Sequence, residues 1–474
     1  MKKKMLFVYP NQAWQKKDIA TMWILNPATL CSLATMVKDF VDVKIIDANF
    51  YKMSKQEFGA EVEAFNPDYV GISVLTSEYG KTLDITADLV KNVREDIVVI
   101  AGGVHAIVEH REIIKNENID FVVRGEGEYV LRDLVRYLNG NGDLPGEGLV
   151  YRKDDSVVIQ ALALVQDLDS LPWPDYSLVK LEDYLSVEHR KGPLGAPELP
   201  FYRMTVTRGC PYDCCFCQVR SISGHKIRSR SPEQVVDHLL YMKNEYNIKS
   251  LVIDDDNMLG KKDFFKKFLE MMIEKRLDLP FVMGGVAVFL LTDELLDLMV
   301  KAKCIGINIA IESGNERVKN LIVKKPIDLD KIPEMISKIK ERGIFCLGNF
   351  MIGLPGESWD EILETIKYAE DCGVDYAKIF VAIPLKNTRL WDIAVAENAF
   401  VREMSEIEVD TRFGQLQSED WTPKDVSILR AYEWDRINFG TAEKRKKMAE
   451  IWQLSEEELR KVRRETRDAI TFSW

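Results

Sequence analysis

Phe201-Tyr-Arg-Met-Thr-Val-Thr-Arg-Gly-Cys210-Pro-Tyr-Asp-Cys214-Cys-Phe-Cys217 decides how this chain is read. Phe201 to Thr207 is rich in β-formers and reads as a strand. A CxxxCxxC cluster follows it, and three thiolates at that spacing can wrap one loop around a metal centre. An all-protein [4Fe–4S] cluster takes four thiolates, so three leave one iron open to a ligand from outside the protein. The competing reading is structural zinc, closed by four Cys or His ligands. His225, the nearest histidine in sequence, fits no common finger spacing. Cys215 is read as a bystander, because neighbouring residues of an extended loop point apart. The single cysteines Cys31, Cys304, Cys346 and Cys372 stand mostly in apolar surroundings and read as small core residues.

Working outward, 474 residues should hold two or three domains. An apolar content of 46% and a charged content of 30% are ordinary for a soluble protein. A net charge of −12, without a basic patch, argues against a general nucleic-acid binder. No apolar run approaches the roughly 18 residues of a membrane span. Lys2-Lys-Lys4 before Met5-Leu-Phe-Val-Tyr9 is too short for a signal peptide and reads as a buried first strand. The cytoplasm is the expected location, where a labile cluster stays reduced.

From Met1 to about Val150, short apolar runs alternate with amphipathic segments, the pattern of a parallel sheet with crossover helices. Expected strands are Met5–Tyr9, Val43–Ile46, Tyr69–Leu75, Ile97–Ala101 and Phe121–Val123. Asn26-Pro27 is an expected helix start and Ser54-Lys-Gln-Glu57 an expected capping box. Open sheets of this kind bind ligands at the carboxyl ends of their strands. Those ends hold Ser73, Leu75 and Thr76, then Gly102, Gly103 and His105, then Gly125, Glu126 and Gly127. A proline-broken segment, Asp167 to Tyr176, and a second loop, Gly192 to Pro197, separate this region from the next.

From Phe201 to Ala394, strand and helix alternate about six times. Expected strands are Arg203–Thr207, Ser250–Ile253, Phe281–Gly284, Gly306–Ile311, Phe345–Ile352 and Tyr376–Ile383. Ser231-Pro-Glu-Gln234 and Ser358-Trp-Asp-Glu361 read as capping boxes. In Ile307-Asn-Ile-Ala-Ile-Glu312 a period of two sends the isoleucines outward and Asn308, Ala310 and Glu312 inward. An inward carboxylate needs a partner; a bound ligand and an interior salt bridge both remain open at this point.

Taken together, these motifs resemble the radical S-adenosyl-L-methionine (SAM) enzymes that carry a cobalamin (B12)-binding domain, in particular the class B methyltransferases. The resemblance implies an α/β chain with four parts. Residues 1–150 form a Rossmann-like, doubly wound cobalamin-binding domain, and 151–200 a linker. A partial (βα)6 TIM-type radical SAM barrel spans 201–395, and a small helical C-terminal domain, a cap over the barrel mouth, spans 396–474. It implies three cofactors: a [4Fe–4S] cluster on Cys210, Cys214 and Cys217, SAM, and cobalamin. SAM contacts would come from Phe216, from Asp254 or Asp256, from Glu312 and Ser313 as the ribose motif, and from Gly348 and Gly353 as the adenine motif. Cobalamin contacts would come from Ser73, Leu75, Thr76, Gly102, Gly103, His105, Gly125, Glu126 and Gly127.

Two departures matter. The loop Pro10–Trp14 lacks Asp-x-His-x-x-Gly, which implies cobalamin without a histidine on cobalt. Gly284–Phe289 lacks the arginine often found after the third strand, leaving Arg208, Lys226 and Arg228 as substitutes. The activity implied is methyl transfer from methylcobalamin to an unactivated carbon or phosphorus centre, after a 5′-deoxyadenosyl radical has removed a substrate hydrogen. The substrate would be a small molecule and the electron donor a flavodoxin or ferredoxin. Alternatives are radical cyclisation or rearrangement with the same cofactors, or a cobalamin sensor with structural zinc. The sequence assigns no catalytic side chain.

Overall fold

The structure is a computed structural model describing residues 2–15, 27–75, 79–187, 194, 198–403 and 410–471. The chain divides into two compact units, Met1–Tyr184 and Leu185–Trp474.

The first unit runs β1 (Lys4–Tyr9), α1 (Ala28–Val37), β2 (Asp42–Asp47), α2 (Lys55–Phe65), β3 (Tyr69–Ser73), α3 (Lys81–Val93) and β4 (Val98–Gly102). It continues through α4 (Val104–Ile113), β5 (Phe121–Val123), α5 (Gly127–Leu138), β6 (Leu149–Lys153) and β7 (Ser156–Ile159). The sheet order is β2-β1-β3-β4-β5-β6-β7. Its first five strands are parallel. Strands β6 and β7 add an antiparallel hairpin that the sequence reading did not foresee. Strand β1 reads as an unbroken apolar run because both its faces are covered. Leu6 and Val8 enter one core, while Met5, Phe7 and Tyr9 enter the other. The order reverses between β1 and β3, so the ligand crevice of such a fold lies at their carboxyl ends. The Ser54 capping box is present, with Glu57 returning the bond to the Ser54 N–H at 2.7 Å. Asn26 lies outside the described residues; Pro27 directly precedes α1.

A short helix, α6 (Leu181–Leu185), marks the division. The second unit opens with β8 (Phe201–Met204), β9 (Thr207–Arg208), α7 (Val219–Ser223), β10 (Arg228–Ser229), α8 (Pro232–Tyr246), β11 (Ser250–Ile253) and α9 (Lys262–Glu274). Then come β12 (Phe281–Val286), α10 (Asp293–Lys301), β13 (Cys304–Glu312), α11 (Ile332–Glu341), β14 (Phe345–Ile352), α12 (Trp359–Asp371), β15 (Tyr376–Val381) and α13 (Arg389–Ala396). Six strands lie side by side in the order β15-β14-β13-β12-β11-β8, every pair parallel. That is the sequential strand order of a partial (βα)6 barrel. The first expected strand, Arg203–Thr207, is displaced. The chain leaves the sheet after Met204 because Asp255 captures the next backbone N–H groups, those of Val206 at 2.6 Å and Thr207 at 2.8 Å.

Helices α14 (Pro423–Phe439), α15 (Ala442–Ile451) and α16 (Glu456–Thr471) end the chain. Helix α14 lies along β15. Asn438 accepts from the Ala377 N–H and donates to the Ala377 carbonyl, both at 2.8 Å, which pairs backbone groups that an edge strand would leave open. Trp434 and Phe439 pack there as core aromatics, whereas Tyr432 is exposed.

Candidate functional site

The cysteine loop is held from below by the turn after β11. Asp255 accepts from Val206 and Thr207, Asp256 accepts from the Gly209 N–H at 2.9 Å, and Asn257 Nδ2 stands 3.6 Å from Cys210 Sγ as a donor to sulfur. Gly209 has φ +93°, and a Cβ there would meet the Lys226 carbonyl at 2.5 Å, so only glycine lets the loop pass. Further along, the Cys215 N–H donates to the Val323 carbonyl at 3.2 Å, and the Leu390 N–H to the Cys215 carbonyl at 2.7 Å. Cys215 itself is buried with Val318, Ile322, Val323, Leu354, Ala382 and Leu390, with Phe216 packed alongside. Cys210, Cys214 and Cys217 are only half-buried.

These three thiols share one electrostatic environment. Burial pushes the Cys214 thiol up to about 12; the Lys325 charge opposes that shift, and Glu312, Cys217 and Cys210 add to it. Burial also raises Cys217. Among the described residues no three His, Cys, Asp or Glu side chains are gathered to hold a metal ion. A cubane cluster takes each thiolate on a separate iron, so three thiols on one loop, with an amide donor at one sulfur, suit it. Loading such a cluster must release protons from buried thiols.

The carboxylates expected at SAM are already engaged. Asp254 pairs with Arg203 and is fairly exposed. Glu312 Oε1 lies 2.9 Å from Lys325 Nζ, with both side chains under a tenth exposed. Simple alternation does not set the Glu312 direction: the β13–β14 register shifts between Ala310 and Glu312, and Glu312 has φ +73°. Such backbone in a residue other than glycine is strained and concentrates at functional sites. Ser313 is buried against Thr365, its Oγ 3.1 Å from Thr365 Oγ1. Gly348 packs on Val374 and Phe350, and Gly353 donates its N–H to Glu357 at 2.8 Å. Arg228, one of the substitute cations, is buried and donates to the Ser223 carbonyl.

Sequence reasoning missed Lys325 and Asn257. Lys325 follows an irregular helical turn, Val318–Val323, of the wide π type that often marks functional sites. A lysine pair within Val323-Lys-Lys-Pro-Ile327 was the available signal for it. Asn257 directly follows the three aspartates of the turn after β11, and its buried Oδ1 lacks a partner.

In the first unit, the ends of β3 and β4 meet through Gly103. Its φ is +88°, and a Cβ would stand 2.5 Å from the Val74 carbonyl oxygen. The Val74 carbonyl also accepts the His105 N–H at 3.1 Å. Ser73 and His105 are buried and Leu75 is 37% exposed, an apolar side chain at the crevice edge; Thr76 lies outside the described residues. Gly102 is open, its nearest neighbour 3.8 Å from a built Cβ. Gly125 and Glu126 serve the chain itself. A Cβ on Gly125 would strike Ala163, and the Glu126 carboxylate accepts the Val165 N–H at 2.7 Å. A Cβ on Gly127 would sit 3.2 Å from Leu33. After β1, Asn11 and Trp14 donate to the Met53 carbonyl, which fixes that loop without a histidine.

A six-stranded partial barrel with a CxxxCxxC loop after its first strand is the arrangement of a radical SAM enzyme, and residues 204–369 match the Radical SAM superfamily model. Residues 24–135 match the B12 binding domain. The chain is 31% identical over 401 residues to a protein of Pyrococcus horikoshii named Uncharacterized methyltransferase PH0819, covering 84% of each chain. It is 29% identical to the cytidylyl-2-hydroxyethylphosphonate methyltransferase of Streptomyces wedmorensis, over 72% of this chain and 69% of that one. It is also 27% identical to the anaerobic magnesium-protoporphyrin IX monomethyl ester cyclase of Rubrivivax gelatinosus, over 79% and 67%. The fold matches that of the radical SAM methyltransferase TsrM from Kitasatospora setae at a TM-score of 0.68 and 18% identity, covering 84% of this chain and 77% of that one. This chain belongs to the cobalamin-binding radical SAM family. The family's cofactors are a [4Fe–4S] cluster, SAM and cobalamin. Among the described residues no helix is long and apolar enough to cross a membrane.

Proposed function

We propose that this chain is a cobalamin-dependent methyltransferase that methylates an unactivated carbon or phosphorus centre of a small molecule. The observation that carries the reading is the cysteine loop: Cys210, Cys214 and Cys217 half-buried along one loop, Cys215 turned into the core, and Glu312–Lys325 beside Cys214. Bound there and in the first unit, the cofactors would supply one-electron cleavage of SAM and a carrier for its methyl group. The chain's own residues position and shield. Asp255, Asp256 and Asn257 fix the loop, Asn257 tunes one sulfur by its N–H, and Glu312 is placed to accept the SAM ribose hydroxyls. Gly102 and Leu75 would border the cobalamin slot. Electrons would come from a flavodoxin or ferredoxin, in the cytoplasm.

The cyclase among the relatives favours a second reading, radical ring formation without methyl transfer. Anaerobic turnover of candidate substrates with methyl-deuterated SAM and mass spectrometry decides between them. A trideuteromethyl increment in product supports methyl transfer, and product without deuterium supports the cyclase-like reaction.

A further inference from the structure

The two faces of the six-stranded sheet differ in burial. On β13, Ile307, Ile309 and Ile311 are fully buried, while Asn308 and Ala310 are half-buried. On β14, Cys346, Gly348 and Phe350 are buried and Asn349 and Met351 half-buried. On β15, Ala377, Ile379 and Val381 are buried and Lys378 and Phe380 half-buried. The register sets Ala310, Asn349 and Lys378 side by side, and Asn308 shares the face of Ala310 one pair lower. Toward the other end of this inner face Phe201, Val252 and Val282 form an apolar plug. A polar layer therefore sits over an apolar floor.

That layer is unsatisfied. Asn308 Oδ1 and Asn349 Oδ1 are buried without a hydrogen bond. Among the described residues Lys378 has no carboxylate partner; its ammonium lies 4.6 Å from the centre of the Phe380 ring. The nearby charge is of the same sign. Arg430 of α14 donates Nε to the Ile379 carbonyl at 3.0 Å and keeps Nη1 buried without a partner. Burial first, and Arg430 second, hold the Lys378 amine below the usual lysine range. An uncompensated Lys378 at such depth is costly unless an anion completes it, and an idle side-chain amide can turn either its oxygen or its N–H toward a ligand.

We propose that Asn308, Asn349 and Lys378 form a receptor for an oxyanion carried by the substrate, a carboxylate, phosphate or phosphonate. The inference rests on the reading above only in placing a small-molecule substrate inside the barrel. Lys378 would supply the charge, and the two side-chain amides beside it, whose idle ends in this structure are the Oδ1 oxygens, would turn about their terminal torsions to present N–H donors to the anion.

Calorimetric titration of methylphosphonate and of acetate into the anaerobically reconstituted protein, with and without saturating SAM, tests it. At least one anion should bind in both conditions. Binding should weaken by about tenfold to a hundredfold in Lys378→Met and severalfold in Asn349→Leu, and largely persist in Lys378→Arg. Thermal melts identify any variant that has merely lost its fold, in which case Lys378→Arg against Asn349→Leu carries the comparison. No anion binding, or equal binding by wild type and folded Lys378→Met, overturns the proposal. Displacement of the anion by SAM, with SAM affinity falling in Lys378→Met, also overturns it and gives the layer to SAM's own carboxylate. Binding is read without turnover. A protein that bound the anion this way yet moved no deuterium from SAM would refute methyl transfer and leave the receptor standing.

Discussion

Lys325 Nζ lies 2.9 Å from Glu312 Oε1, and both charges are buried beside Cys214. This pair joins two roles that the sequence left as alternatives, a ribose acceptor and an interior salt bridge. A carboxylate has two oxygens, and Lys325 engages one of them in the structure.

Glu312→Gln should therefore show both effects. Breaking a buried pair by removing one partner typically costs about 3–5 kcal/mol, so the melting temperature should fall. SAM affinity should fall as well, by about tenfold to a hundredfold for a lost charged hydrogen bond. Glu312→Gln/Lys325→Met should recover much of the stability and none of the SAM affinity. If calorimetry shows unchanged SAM binding by folded Glu312→Gln, Glu312 is a structural partner only.

Alanine at Cys210, Cys214 or Cys217 should each abolish cluster loading, read as iron content and visible absorbance after anaerobic reconstitution. Cys215→Ala should load iron normally. Its cost should appear in the melt instead, about 0.5–3 kcal/mol as for other core truncations, because Cys215 packs with Val323, Leu354 and Leu390. An iron-free Cys215→Ala beside an iron-loaded Cys217→Ala would reverse the ligand assignment.

Much of this site was legible because its signals are local. Ser250–Ile253 and Phe345–Ile352 were bounded to the residue, since buried parallel strands read as unbroken apolar runs. The cysteine spacing and the glycines at strand ends were equally local. What escaped depends on distance in sequence or on direction. Lys325 meets Glu312 across 13 residues through a turn whose irregular winding no periodicity reveals. Three consecutive aspartates look alike in sequence, yet Asp254 pairs with Arg203, Asp255 binds two backbone N–H groups and Asp256 binds Gly209. Gly103 was expected only as a cobalamin contact, and no sequence signal shows that its own chain occupies the space a side chain there would need.

That last distinction separates the paired glycines. Gly103→Ala should destabilise the protein, by about 1–2 kcal/mol from its left-handed backbone and more from the Val74 contact. Gly102→Ala should leave the melt nearly unchanged, because its nearest neighbour is 3.8 Å away. Cobalamin affinity, read from the absorbance of bound cobalamin after gel filtration, should drop in Gly102→Ala if that position borders the slot. Unaltered affinity there would remove Gly102 from the cobalamin contacts.

Glu357 should impose a pH dependence on stability. It is buried, accepts the N–H groups of Gly353 and Leu354, and keeps Oε1 without a partner. Burial raises its carboxyl to about 8 in the folded chain, against an ordinary value of 4.5. Between those values the folded protein keeps the proton and the unfolded chain releases it. The unfolded state then binds fewer protons, so stability falls as pH rises through this window. The slope approaches about 1.4 kcal/mol per pH unit for one fully shifted group. Asp255, raised to about 7 by the same cause, acts in the same direction. Denaturant unfolding of the apo protein at pH 5.5, 6.5 and 7.5 should show the decline, and Glu357→Gln should flatten it while still accepting the two N–H groups through its amide oxygen. An unchanged slope in Glu357→Gln would mean that Glu357 is ionised in the folded protein throughout this range.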